Sequence, residues 1–181
     1  MLGMQVRLKR MTLGLLPVPA LLVPIVFACN PMTTASPTVR LVNYGIIRPV
    51  GPFVRHADPN AASGFTSSGP GNSVFGERTS EVPATQGSAF GIRYRIEGIQ
   101  KNQTIVVEEI IRHPPMTKPD GTVVTEERTK DRVTSDSGYV DQKFFYRLDR
   151  PFEVVLGDWS LAVAVNGVTA IDQHFTVRAA R

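Results

Sequence analysis

The sequence predicts an all-β domain, an antiparallel sandwich or barrel, and three observations carry that prediction. Apolar and polar residues alternate with period two in several short runs, the signature of strands with one buried face. Gly, Pro, Asn and Asp clusters separate those runs at regular intervals, as in sandwiches and barrels. Beyond residue 28, no stretch shows a 3.6-residue apolar period.

The last two strands give the clearest case. Trp159, Leu161, Val163 and Val165 alternate with Ser160, Ala162 and Ala164, and Asn166-Gly167 follows. Asn-Gly between two β-rich runs predicts a hairpin, because both residues tolerate the positive φ of a type I′ turn. On the return strand Ile171, Phe175 and Val177 share a face, with Gln173 as its polar interruption. Trp159, Asn166 and Gly167 are therefore expected to be structural.

Taken in order, residues 38–47 form the first strand. Val39, Leu41 and Asn43 face one way and Val42, Tyr44 and Ile46 the other, and Pro49 and Pro52 end it. Residues 57–73, rich in Gly, Ser, Pro and Asn, read as a flexible loop. A weak second strand over 74–82 is closed by Pro83 and Gly87. Residues 89–97 give a clear third strand, with Phe90, Ile92, Tyr94 and Ile96 on its apolar face. The fourth runs over 104–113, where Pro114 and Pro115 stop it. Lys118-Pro119-Asp120-Gly121 is a tight turn. A polar fifth strand over 122–133 mixes Glu126, Glu127, Arg128, Lys130, Asp131 and Arg132, a solvated strand that discourages edge pairing. The sixth, over 139–148, aligns Phe144, Tyr146 and Leu148.

A chain of 181 residues suits one domain of ordinary size with additional segments. The formal charge of +4 arises mostly at the N-terminus. Of 20 Lys and Arg, three (Arg7, Lys9 and Arg10) precede residue 29, where no Asp or Glu stands, so 17 remain against 16 acidic residues. A balance that close to neutral argues against nucleic acid as a partner.

Residues 1–28 read as an export signal: a basic start, then an uncharged apolar run from Met11 to Ala28. The run is long enough to span a bilayer, so an uncleaved anchor is the competing expectation. Pro17, Pro19 and Pro24 weigh against a permanent transmembrane helix. Val26-Phe27-Ala28-Cys29 resembles a bacterial lipobox, which makes Cys29 the lipidated first residue of the mature chain and residues 29–37 a flexible tether. The expected partners are then the membrane, through lipidated Cys29, and an envelope protein. If ordinary signal peptidase cuts instead, the protein is soluble and periplasmic.

For chemistry, His56, His113 and His174 lie far apart without paired metal spacing, and neither a metal nor a cofactor is expected. Glu108 and Glu109 are neighbours on a strand and point to opposite faces, so they do not form a catalytic carboxylate pair. Arg112 and His113 are candidate ligand or partner contacts. The structural alternative pairs Arg112 with a strand-end acid and bonds His113 to a backbone carbonyl. Phe145, between Phe144 and Tyr146, faces opposite to both and is a candidate exposed or interface aromatic.

Three segments together resemble a bacterial family catalogued as domain of unknown function 3859. They are Val42-Asn43-Tyr44-Gly45-Ile46, the Arg112-His113-Pro114 corner with Pro119 and Gly121, and the Gly157-x-Trp159 hairpin ending Phe175-Thr176-Val177. The resemblance spans roughly residues 39–177. It implies an immunoglobulin-like antiparallel β-sandwich, here of about seven or eight strands, in an exported protein, and it implies no activity. The expected function is a non-catalytic binding or structural module of the cell envelope. The alternative is a periplasmic enzyme or metal-dependent accessory factor with a loop-built site near His113, which a pocket joining His113, His174 and an acid would support.

Overall fold

The computed structural model describes residues 36–48, 54–58, 61, 64–68 and 74–179. The signal segment, Cys29 and most of the tether lie outside the described residues. Eleven strands are described: β1 (Thr38–Arg48), β2 (Val54–Ala57), β3 (Phe65–Ser68), β4 (Val74–Phe75), β5 (Glu81–Pro83), β6 (Ala89–Glu97), β7 (Thr104–Thr117), β8 (Val123–Thr134), β9 (Tyr139–Arg147), β10 (Gly157–Val165) and β11 (Val168–Arg178). A single 3-10 turn, Pro151–Glu153, precedes β10. One sheet has the order β4-β1-β6-β9 and the other β5-β11-β10-β7-β8, while β2 and β3 form a separate hairpin. All pairings are antiparallel except that of β5 with β11. The two sheets close on each other as a sandwich.

The core sits between the apolar faces that the alternation marked. Phe90, Ile92, Tyr94 and Ile96 of β6 and Trp159, Leu161 and Val163 of β10 are all buried. Phe90 meets Trp159 edge-on at 5.6 Å and Phe175 at 5.0 Å, so one ring joins both sheets. Asn166 (φ 51°) and Gly167 (φ 84°) make the expected turn. β10 is buried on both faces, because its outward residues are the small Ser160, Ala162 and Ala164, flanked by longer side chains of β7 and β11.

Four strand expectations are corrected. The ladder of β1 shifts register between Leu41 and Asn43, leaving Val42 as the extra residue of a bulge. The bulge reverses the alternation, so Val39 and Leu41 pack on the core together with Tyr44 and Ile46. The weak strand over 74–82 is two strands, β4 and β5, which pair in different sheets. Pro114 and Pro115 do not end β7. They lie in a register shift between Arg112 and Met116, where a missing N–H interrupts no ladder bond. Finally, the stretch expected to be a loop contains β3 and the end of β2, with Asp58 N–H bonded to the Gly64 carbonyl at 2.9 Å. Residues 59–60, 62–63 and 69–73 of that stretch lie outside the described residues.

Candidate functional site

His113 follows Val107, Glu109 and Ile111 on the inward face of β7 and opens the bulge that brings Met116 inward as well. Its Nδ1 donates to the Pro114 carbonyl at 2.8 Å. The ring lies 5.0 Å from Trp159, and Nε2, fully buried, stands 3.8 Å from Glu127 Oε1. Gly157 makes room for this corner: its φ is +125°, and a Cβ there would sit 2.9 Å from Pro114 Cγ. Trp159 Nε1 donates to the Val155 carbonyl at 3.1 Å and packs 5.1 Å from Tyr146. The Tyr146 hydroxyl donates to Glu153 Oε1 at 3.2 Å, and the Arg150 N–H donates to Glu153 Oε2. Burial, and then the Glu127 and Glu153 carboxylates, push the Tyr146 hydroxyl well above its usual range. Burial also raises Glu153.

A second interior pair lies further along the sandwich. Tyr94 of β6 donates to Glu109 Oε1 of β7 at 2.9 Å, a hydrogen bond between the two sheets. Burial pushes the Glu109 carboxyl up to about 7, the tyrosine opposes that rise, and nearby Asp131 adds to it. In each cluster a tyrosine hydroxyl bonds a carboxylate inside the sandwich, a geometry that holds strands, while the buried His113 Nε2 and Glu127 Oε1 stand 3.8 Å apart beside the first.

Arg112 lies on the opposite, outward face. Its guanidinium bonds Glu126 at 3.0 Å and stands 3.7 Å from Asp172, and Arg128 ties Glu126 (2.6 Å) to Glu108 (3.3 Å). This network crosses β11, β10, β7 and β8 over Ser160 and Ala162. Phe145 is half-buried on the outward face of β9, opposite Gly91, where an added Cβ would meet the Phe145 Cβ at 2.5 Å. On that sheet Asp141 takes hydrogen bonds from Arg93 and Arg95, which hold its carboxyl down at about 2.

The structure does not bring the histidines together. His174 is exposed on the outward face of β11, 4.0 Å from Asp172, and His56 is exposed on β2. Among the described residues, no group of three His, Cys, Asp or Glu is placed to hold a metal ion. Sequence reasoning missed Glu127, Glu153 and Glu109 as interior groups. Only Glu109 carried a signal, since it stands between Val107 and Ile111 on a core-facing alternation.

The family model described as a domain of unknown function, DUF3859, matches residues 35–177. The chain belongs to that family. Among solved structures, it is similar to an immunoglobulin-like protein from Pseudomonas aeruginosa, with a TM-score of 0.52 and 23% identity over 81% of this chain and 99% of that one. That likeness shows the fold: an immunoglobulin-like β-sandwich. A looser likeness, with a TM-score of 0.40 and 20% identity, links 55% of this chain to 29% of an alkylpurine DNA glycosylase from Pseudomonas fluorescens bound to abasic-site DNA, and it bears on neither fold nor function here. No curated protein matches.

Proposed function

We propose that the chain is a cell-envelope lipoprotein whose sandwich is a non-catalytic binding or structural module, held at the membrane by lipid on Cys29. One observation carries the module reading: the two residues best suited to chemistry are built into the scaffold. Arg112 is engaged by Glu126 and Asp172, and His113 is enclosed beside Trp159. The envelope reading is supported by the basic-then-apolar start and by Val26-Phe27-Ala28-Cys29. Several acyl chains on one cysteine anchor a protein stably, whereas a single chain does not.

The test is to express the full chain and its Cys29→Ala variant in cells fed labelled palmitate, then fractionate. Label and membrane association in the native chain, both lost in the variant, are expected. An unlabelled, soluble native chain overturns the anchor. For the module, crosslinking in intact envelopes is expected to trap a protein partner on an exposed strand or loop.

A further inference from the structure

The edge strand β8 sorts its charges by face. Arg128, Lys130 and Arg132 share the outward face, opposite Ile110, Glu108 and Val106 of β7. Glu127, Thr129 and Asp131 share the inward face, opposite Ile111, Glu109 and Val107. Beyond Glu126, which shares the outward face and is paired with Arg112 and Arg128, the mixed run of the sequence becomes a cationic row on one side and an acidic row on the other. Arg128 is tied to Glu126 and Glu108. Lys130 and Arg132 are exposed and form no ion pair among the described residues.

The ladder also fixes where the main-chain groups of β8 point. Asn166 N–H donates to the Val106 carbonyl at 2.9 Å, and Val106 N–H donates to Asn166 Oδ1 at 3.3 Å, so Val106 directs its backbone toward β10. In an antiparallel ladder that direction alternates. Val106, Glu108 and Ile110 therefore serve β10, while Ile105, Val107 and Glu109 serve β8. At the end of the ladder, Ser135 N–H donates to the Gln103 carbonyl, in the same phase. It follows that Arg128, Lys130 and Arg132 turn their N–H and C=O groups away from β7. No other strand pairs there among the described residues.

We propose that the free edge of β8 captures an extended partner segment that carries acidic residues at alternate positions and neutral ones between them. This deepens the module reading above and rests on it. The main chain would supply ladder hydrogen bonds, as in other cases of strand addition. Specificity would come from charge: an acid on the outward side meets Lys130 and Arg132, while one on the inward side meets Glu127 and Asp131 and is repelled. A second copy of β8 paired antiparallel about Thr129 would set Arg128 against Lys130 outward and Glu127 against Asp131 inward, a like-charge register on both faces.

The test uses the full chain and a fluorescent peptide that alternates threonine with glutamate, read by anisotropy. A peptide of the same composition, with its glutamates in one block, is the control. Saturable binding of the alternating peptide is expected, with the block peptide about tenfold weaker. The double change Lys130→Glu with Arg132→Glu should weaken binding by about tenfold. Lys130→Pro removes an outward N–H without touching the β7 ladder and should do the same. Bound peptide should also slow amide exchange at Arg128, Lys130 and Arg132. Equal binding of the block peptide, unchanged binding by folded Lys130→Pro, or equally tight binding of a single-stranded oligonucleotide would reduce the edge to a diffuse cationic patch and overturn the proposal. Absence of peptide binding also overturns it. The anchor reading would then still be decided by palmitate labelling alone, and the module reading by envelope crosslinking.

Discussion

Two tyrosine–glutamate pairs cross the interior of this sandwich, and their surroundings give the same chemistry different consequences. At Glu153 both carboxyl oxygens are occupied, one by Tyr146 and one by the Arg150 N–H, within a wall formed by Trp159 and His113. Glu109 accepts a hydrogen bond from Tyr94, and the like-signed Asp131 adds to the rise of its carboxyl. The first carboxyl is a structural bolt that closes the turn into β10. The second is a titratable link between the sheets, poised near neutral pH. Burial raises both carboxyls, and the hydrogen-bond donors around each oppose that rise to different extents.

The contrast can be broken most severely at the wall itself. Trp159→Ala removes a buried ring that touches Phe90, His113 and Tyr146 and is expected to cost about 3–5 kcal/mol, read by urea unfolding. Next, Glu153→Ala leaves the Arg150 N–H and Tyr146 hydroxyl without their acceptor and should cost about 2–3 kcal/mol. Glu153→Gln, which keeps an acceptor, should recover part of that loss. An equally stable Glu153→Ala variant would remove the bolt from the account.

Glu109 sharpens the contrast through pH. The folded state holds this proton more tightly than the unfolded chain, whose carboxyl titrates at its ordinary value of 4.5, against about 7 when folded. Its contribution to stability is therefore complete below pH 4.5 and is lost as pH rises through 7, by about 3 kcal/mol in all. In Glu109→Gln that decline should vanish, measured by chemical unfolding at pH 5 and pH 8. The smallest effect is expected outside: Arg112→Ala breaks exposed pairs with Glu126 and Asp172 and should cost less than about 1 kcal/mol, falling with added salt.

Much of the fold was legible because alternation and turn chemistry are local. β6, β9 and the β10–β11 hairpin lie within a residue or so of where the pattern placed them. Bulges were not legible. Val42 and the His113-Pro114-Pro115 segment each insert extra residues whose presence depends on the facing strand. The second bulge decides the fate of Met116, which unbroken alternation from Ile111 and His113 would have turned outward and which is buried in the core. Glu127 looked like one charge in a solvated run, and its inward direction emerges only from its register with Ile111. Glu153, in a short turn, had no periodic context to mark it.

The sequence by itself determined the class of the fold, its principal strands and the Asn166-Gly167 turn, because backbone preference and period-two patterning act over a few residues. It also determined the near-neutral balance of the chain beyond its basic start. Only the tertiary structure decided which strands became edges, which carboxyls became interior and which face of β8 each charge occupies. Those outcomes depend on pairing partners distant in sequence, and a one-residue change of register reverses every side chain that follows.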